Sequence, residues 1–308
     1  MKKAIAVLEN NLGFLQILLD NLQEHEMKDI TLILVNETRV TDLSIKINSI
    51  VSNYNFNYII LTSDEINEKF KLDVIDNNFV NTYTMSMNIL MLWYIHKYLD
   101  FDKVLFIDDD VVLLPNFSSL FDLNTHGFYY HRLCAGNTDF YTHPARVQDI
   151  FLEWFKIFDI NFSEDFWKFY LTKYINTGQF LILKNDFNIK EYELKLKLFF
   201  NSEIIENDWN HGKVHTSGFL DEKFISLFFI KKDFIKINKY VKLYLGIKNI
   251  SLPTTQSILH IAASSHKYEV YNYLINHNII SGSNFPDVEC IKTKLGFTEI
   301  GKTKIKLW

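Results

Sequence analysis

Lys103-Val104-Leu105-Phe106-Ile107-Asp108-Asp109-Asp110-Val111-Val112-Leu113-Leu114-Pro115-Asn116 carries an apolar run straight into three carboxylates and back into apolar residues. A short apolar run bounded in this way reads as a buried strand. Residues two apart on an extended chain point the same way, so Asp108 and Asp110 share a face and Asp109 points away. Three adjacent like charges repel, and burying any of them is costly without a partner. A divalent cation offsets both costs, and hard carboxylate oxygens suit Mg²⁺ or Mn²⁺. Such an ion can bridge to a diphosphate and neutralise charge on a leaving group. The alternative is a solvated acidic turn. The apolar flanks favour the ion, because they set the acids at the end of a core strand.

Working outward, three more apolar strands precede this one, at Ala4–Leu8, Ile30–Asn36 and Tyr58–Thr62. Helical patterns over Phe14–Glu24, Thr41–Val51 and Tyr83–Leu99 separate them. Strands alternating with helices imply an α/β fold, a parallel sheet covered on both faces, with ligands beyond the carboxyl ends of its strands. Downstream, strands are expected at Gly127–His131, Gln179–Leu183 and Ser257–Ala262, and helices at Pro144–Phe158 and Asp221–Ile230. Residues 207–218 read as a polar loop. One catalytic domain over 1–267 and a C-terminal extension over 268–308, packed on the same domain, accommodate the 308 residues.

Composition narrows the function. A net charge of −5 supplies no basic field for a nucleic-acid backbone, so any phosphate site must be local. The apolar share of 48% supports a large core rather than disorder. Cys134 and Cys290 are too isolated for a disulfide framework or a zinc site and read as free thiols. The run Met1–Leu8 is shorter than a secretory apolar region, and no stretch reaches the roughly 20 apolar residues of a membrane span. A cytoplasmic protein is the expectation.

The run Lys103–Phe121 resembles the donor-metal motif of glycosyltransferase family 8, which includes glycogenins and bacterial galactosyl- and glucosyltransferases. Asn176-Thr177-Gly178 resembles that family's Asn-Ala-Gly segment, Asp221-Glu222 its Asp-Gln-Asp segment, and His260 its C-terminal metal-ligand histidine. The four fall in the family's order across residues 1 to 267. The resemblance implies a GT-A fold (a Rossmann-like nucleotide-diphospho-sugar transferase) and a metal-dependent glycosyltransferase that retains the anomeric configuration. Asp108, Asp110 and His260 would hold Mn²⁺ or Mg²⁺. Asn176, Asp221 and Glu222 would face the donor sugar. Leu8, Asn10, Asp109, Gly178 and Lys267 would contact the rest of the donor, expected to be a UDP-sugar. The acceptor would be a carbohydrate or glycoconjugate.

The departures from the family are specific. Glu9-Asn10-Asn11-Leu12 lacks the tyrosine that contacts the nucleobase, Met91 stands where the family carries an arginine, and the phosphate-binding lysine falls at His266 or Lys267. Glu222 replaces a glutamine, which leaves inversion open. Each candidate also has a plain reading: His260 a core residue, Asn176 a turn residue, Asp221 and Glu222 a helix cap and first-turn acid, and Lys267 a surface lysine. Arg132, Trp209, Asn210 and His211 are further candidates around donor or acceptor. Two other activities fit the same residues: self-glycosylation on a tyrosine, and nucleotide-sugar binding without turnover.

Overall fold

Along β1 (Lys3–Glu9), Ala4, Ala6 and Leu8 enter one core while Ile5 and Val7 enter another. A strand buried on both faces is what its near-continuous apolar sequence demands. The computed structural model describes residues 1–9, 12–23, 29–36, 43–74, 84–130, 152–202, 220–244, 255–261 and 267–280. β2 (Ile30–Asn36) pairs parallel with β1 and with β3 (Asn57–Thr62), and β4 (Lys103–Asp108) pairs parallel on the other side of β1. β7 (Ile175–Leu183) joins β4 in the antiparallel sense, followed by β6 (His126–Tyr130) and β8 (Phe234–Lys236). The order is β3-β2-β1-β4-β7-β6-β8. The expected parallel sheet is thus correct for β1 to β4 and corrected at β7, which makes the sheet mixed.

α1 (Leu12–Gln23) and α2 (Leu43–Val51) bury Leu15, Leu18, Leu22, Ile47 and Val51 on one face of the sheet. The opposite face is covered by α3 (Ser63–Asp73), α4 (Thr84–Tyr98), a helix over residues 152–157, α5 (Glu164–Thr172), α6 (Ile189–Phe200) and α7 (Leu220–Phe229), all contributing to a second core. Only part of the expected helix over 144–158 lies within the described residues. α3, α5 and α6 were not anticipated. For α3 the signal was present: Thr62 Oγ1 accepts from the Glu65 N–H at 3.1 Å and the Glu65 carboxylate accepts from the Thr62 N–H at 2.7 Å. That capping box stabilises the helix start by about 1 kcal/mol.

The abundance of phenylalanine has a structural use. Phe106 on β4, Phe180 on β7 and Phe128 on β6 are directly opposite one another in register, with centroids 4.7 and 5.8 Å apart and nearly parallel rings. Each such pair adds about 0.5–1.5 kcal/mol beyond its burial and pins the register of the strand that reverses direction.

A smaller sheet has the order β5-β10-β9, with β5 (Val111–Leu113), β10 (Ile258–Ile261) and β9 (Val241–Tyr244). Its outer face packs Val112, Leu259 and Ile261 on α8 (Lys267–Asn276) through Val270, Tyr271 and Leu274. Among the described residues no helix is long and apolar enough to cross a membrane.

Candidate active site

β1 and β4 end together, Leu8 opposite Asp108. The chain then turns through Asp109 and Asp110 into β5. A turn, rather than a continuous extended strand, brings Asp108 and Asp110 to the same place. Asp110 is 6% exposed, whereas Asp108 and Asp109 are half-buried. β10 supplies the third group. His260 is opposite Val111, and the Ile261 N–H donates to the Asp110 carbonyl at 3.1 Å. The His260 Nε2 is therefore 3.3 Å from Asp110 Oδ1 and 4.0 Å from Asp108 Oδ2. One ligand atom from each of Asp108, Asp110 and His260 lies within 4.8 Å of the others. Two hard carboxylates with one imidazole form a donor set that fits a small divalent ion. The apolar context of His260 is equally real: all four residues of β10 are buried.

Gly178 completes the cradle. Along β7, Asn176 is opposite Tyr129 while Phe180 is opposite Phe128, so Thr177, Gly178 and Gln179 bulge out of the β6 ladder. The bulge presses Gly178 onto the cluster. A methyl group there would sit 2.5 Å from His260 Cε1, 2.8 Å from Asn176 Oδ1 and 2.9 Å from Asp108 Oδ2. Only glycine leaves the cluster undisturbed.

Behind Gly178 is a buried carboxylate pair at the start of α7. The Asn176 amide donates to Glu222 Oε1 at 2.9 Å, and its own Oδ1 accepts from the Gly178 N–H at 3.0 Å. Asp221 Oδ2 accepts from Asn88 Nδ2 and Thr177 Oγ1, each at 2.9 Å. Burial, and then the neighbouring Asp221 charge, push the Glu222 carboxyl well above the usual carboxylate range, against hydrogen bonds from Tyr174 and the Thr177 N–H. Burial also raises Asp221, opposed by its bonds from Asn88 and Thr177.

The structure thus brings together Asp108, Asp110, His260, Asn176, Gly178, Asp221 and Glu222. Leu8 has its side chain in the core and reaches the site only through its backbone level with Asp108. Met91 is 1% exposed in the core; Asn88, on the same helix, donates to Asp221 of α7. Lys267 begins α8. Asn10, Arg132, Cys134, Trp209, Asn210, His211, His266 and Cys290 lie outside the described residues. Asn88, Thr177 and Tyr174 were missed. Asn88 carried a signal, as an amide within an apolar helix.

A mostly parallel sheet with an acidic turn at the carboxyl end of its central block, flanked by a small sheet, is the GT-A fold. No protein-family model and no curated protein matches the sequence. Among solved structures, the bifunctional glycosyltransferase WbbM is similar with a TM-score of 0.54 at 13% identity, over 95% of this chain and 51% of that one. The glycosyltransferase GlyE of Streptococcus pneumoniae TIGR4 gives 0.48 at 12% identity, over 98% and 64%. The galactosyltransferase LgtC, in complex with donor and acceptor sugar analogues, gives 0.46 at 12% identity, over 96% and 100%. The chain spans about half the length of WbbM and under two thirds of GlyE. The likeness to WbbM identifies the fold.

Proposed function

We propose that the protein is a metal-dependent glycosyltransferase that moves a sugar from a nucleoside diphosphate, UDP in the first instance, to a carbohydrate or glycoconjugate acceptor. The observation that carries this reading is the convergence of Asp108, Asp110 and His260 at the carboxyl end of the sheet, with Gly178 against them. These three side chains would hold Mn²⁺ or Mg²⁺, which neutralises charge on a diphosphate leaving group. In the transfer, the bond from the anomeric carbon to the diphosphate breaks with its electron pair on the diphosphate. An acceptor hydroxyl oxygen forms the new bond and its proton is released. Gly178 lets the donor approach the backbone, Asn176 and Glu222 orient its sugar, and Lys267 would contact the diphosphate. Glu222, whose carboxyl is pushed up by burial, takes the place of an amide, which favours retention of configuration.

The test is calorimetric titration of UDP with and without Mn²⁺ into the wild type and Asp110→Asn. Wild-type binding that needs Mn²⁺ and is severely weakened in a folded variant is expected. Equal affinities in the two proteins would sink the proposal. Binding without any hydrolysis of UDP-glucose or UDP-galactose would leave a nucleotide-sugar-binding protein.

A further inference from the structure

Asp221 is 8% exposed, and its carboxylate is engaged inside the protein. Besides Asn88 and Thr177 on Oδ2, the Glu222 backbone N–H donates to Oδ1 at 2.9 Å. The donors come from α4, from the bulge of β7 and from the first turn of α7. A carboxylate at a helix start, accepting several donors, holds them more tightly than a neutral acceptor does. Thr177 precedes Gly178, whose α-carbon is seated against Asp108 and His260, and follows Asn176, which bonds Glu222. Any shift of Thr177 therefore moves both flanking residues relative to the cluster.

We infer that Asp221 is a positioning residue: through Thr177 and Asn88 it locks the β7 bulge against the Asp108–Asp110–His260 cluster and so sets where the donor's sugar lies. This rests on the donor reading above. It divides the work of the acidic pair, with Asp221 holding Thr177 and Asn88 and Glu222 holding Asn176.

Thr177→Val removes one donor while keeping the side chain's shape, and Thr177→Ser keeps the hydroxyl. Two measurements are needed: hydrogen–deuterium exchange of the 177–179 amides in the free protein, and Mn²⁺-dependent hydrolysis of UDP-glucose and UDP-galactose. In Thr177→Val, exchange is expected to rise and kcat to fall, each about tenfold, the size of one lost hydrogen bond to a charged acceptor. Affinity for UDP with Mn²⁺ should stay within about twofold, and Thr177→Ser should restore both values. Wild-type exchange in Thr177→Val overturns the lock. A loss of UDP affinity equal to the loss of kcat overturns its action on the sugar. If the wild type binds no UDP, the donor reading fails, and the exchange data alone decide the lock: a rise that serine reverses supports it, and no rise refutes it.

Discussion

Gly178→Ala is the sharpest perturbation of the cluster, because one methyl group meets three side chains at once. Non-bonded carbons rest about 3.5–4.0 Å apart, and the new carbon would lie 2.5 Å from His260 Cε1. Something must yield by about 1 Å. His260 is 3% exposed and held in β10 between β5 and β9, so it has little room to retreat. Asp108 and Asn176 stand on the other sides of the methyl, at 2.9 and 2.8 Å from their oxygens. Metal sites tolerate about 0.2 Å in ligand distance, so under the proposed function the strain would fall on the ion as well as on the fold. Overpacking of this kind costs about 1–3 kcal/mol, and in a chain of this size each kcal/mol lowers Tm by roughly 2–4 °C. Affinity for UDP in the presence of Mn²⁺ should drop by at least the roughly 10–100-fold seen when metal ligands lose their support. Circular dichroism melting separates the two effects, and titration calorimetry reads the second. Wild-type affinity and turnover in the alanine variant would refute both the placement of Gly178 and the role of the cluster.

Glu222→Gln should keep activity within about tenfold and preserve the product's anomeric configuration, read by NMR; a loss of roughly 10²–10⁴-fold would make Glu222 a general base. A carboxyl whose pKa is raised on folding stabilises most at low pH, and that contribution is lost as pH rises from near 4.5 toward the folded value. The glutamine variant should therefore show a flatter urea-denaturation stability between about pH 5 and 8. A slope equal to the wild type's would contradict the upward shift of Glu222. For His96 the sign is opposite: burial, aided by His126 and Lys184, lowers its imidazole to about 3. Stability is full above about 6.5 and falls as the pH drops from there toward 3, by up to about 1.4 kcal/mol per unit. His96→Leu should flatten this acid limb in melts between about pH 7 and 4, while the contribution of His126, which is also lowered by burial, remains. An unchanged limb would show that other groups set it.

Local chemistry made part of the site legible. β1 to β4 and the acids after Ile107 stood out because an apolar run that stops at charge has few other readings. His260 did not stand out, since Ile258-Leu259-His260-Ile261 is a fully buried strand, and only the order of the motifs singled it out. Asn176 and Gly178 also read as a turn; they belong to β7, whose pairing with β6 skips Thr177 to Gln179. Asn88 and Thr177 escaped notice because their partner, Asp221, is 133 and 44 residues away in sequence. Pairings at such separation are set by tertiary packing.

The placement of His260 bears on the order in which the protein becomes competent. Every strand of the seven-stranded sheet lies at or before Lys236, but β9 and β10, which present the third group of the cluster, follow from Val241. A chain emerging from the ribosome can therefore complete its large sheet while the acidic turn still lacks its histidine. Contacts of such long sequence range form late, because the loop they close must be ordered first. Under the proposed function, metal binding by the complete cluster would therefore wait until synthesis has passed Ile261.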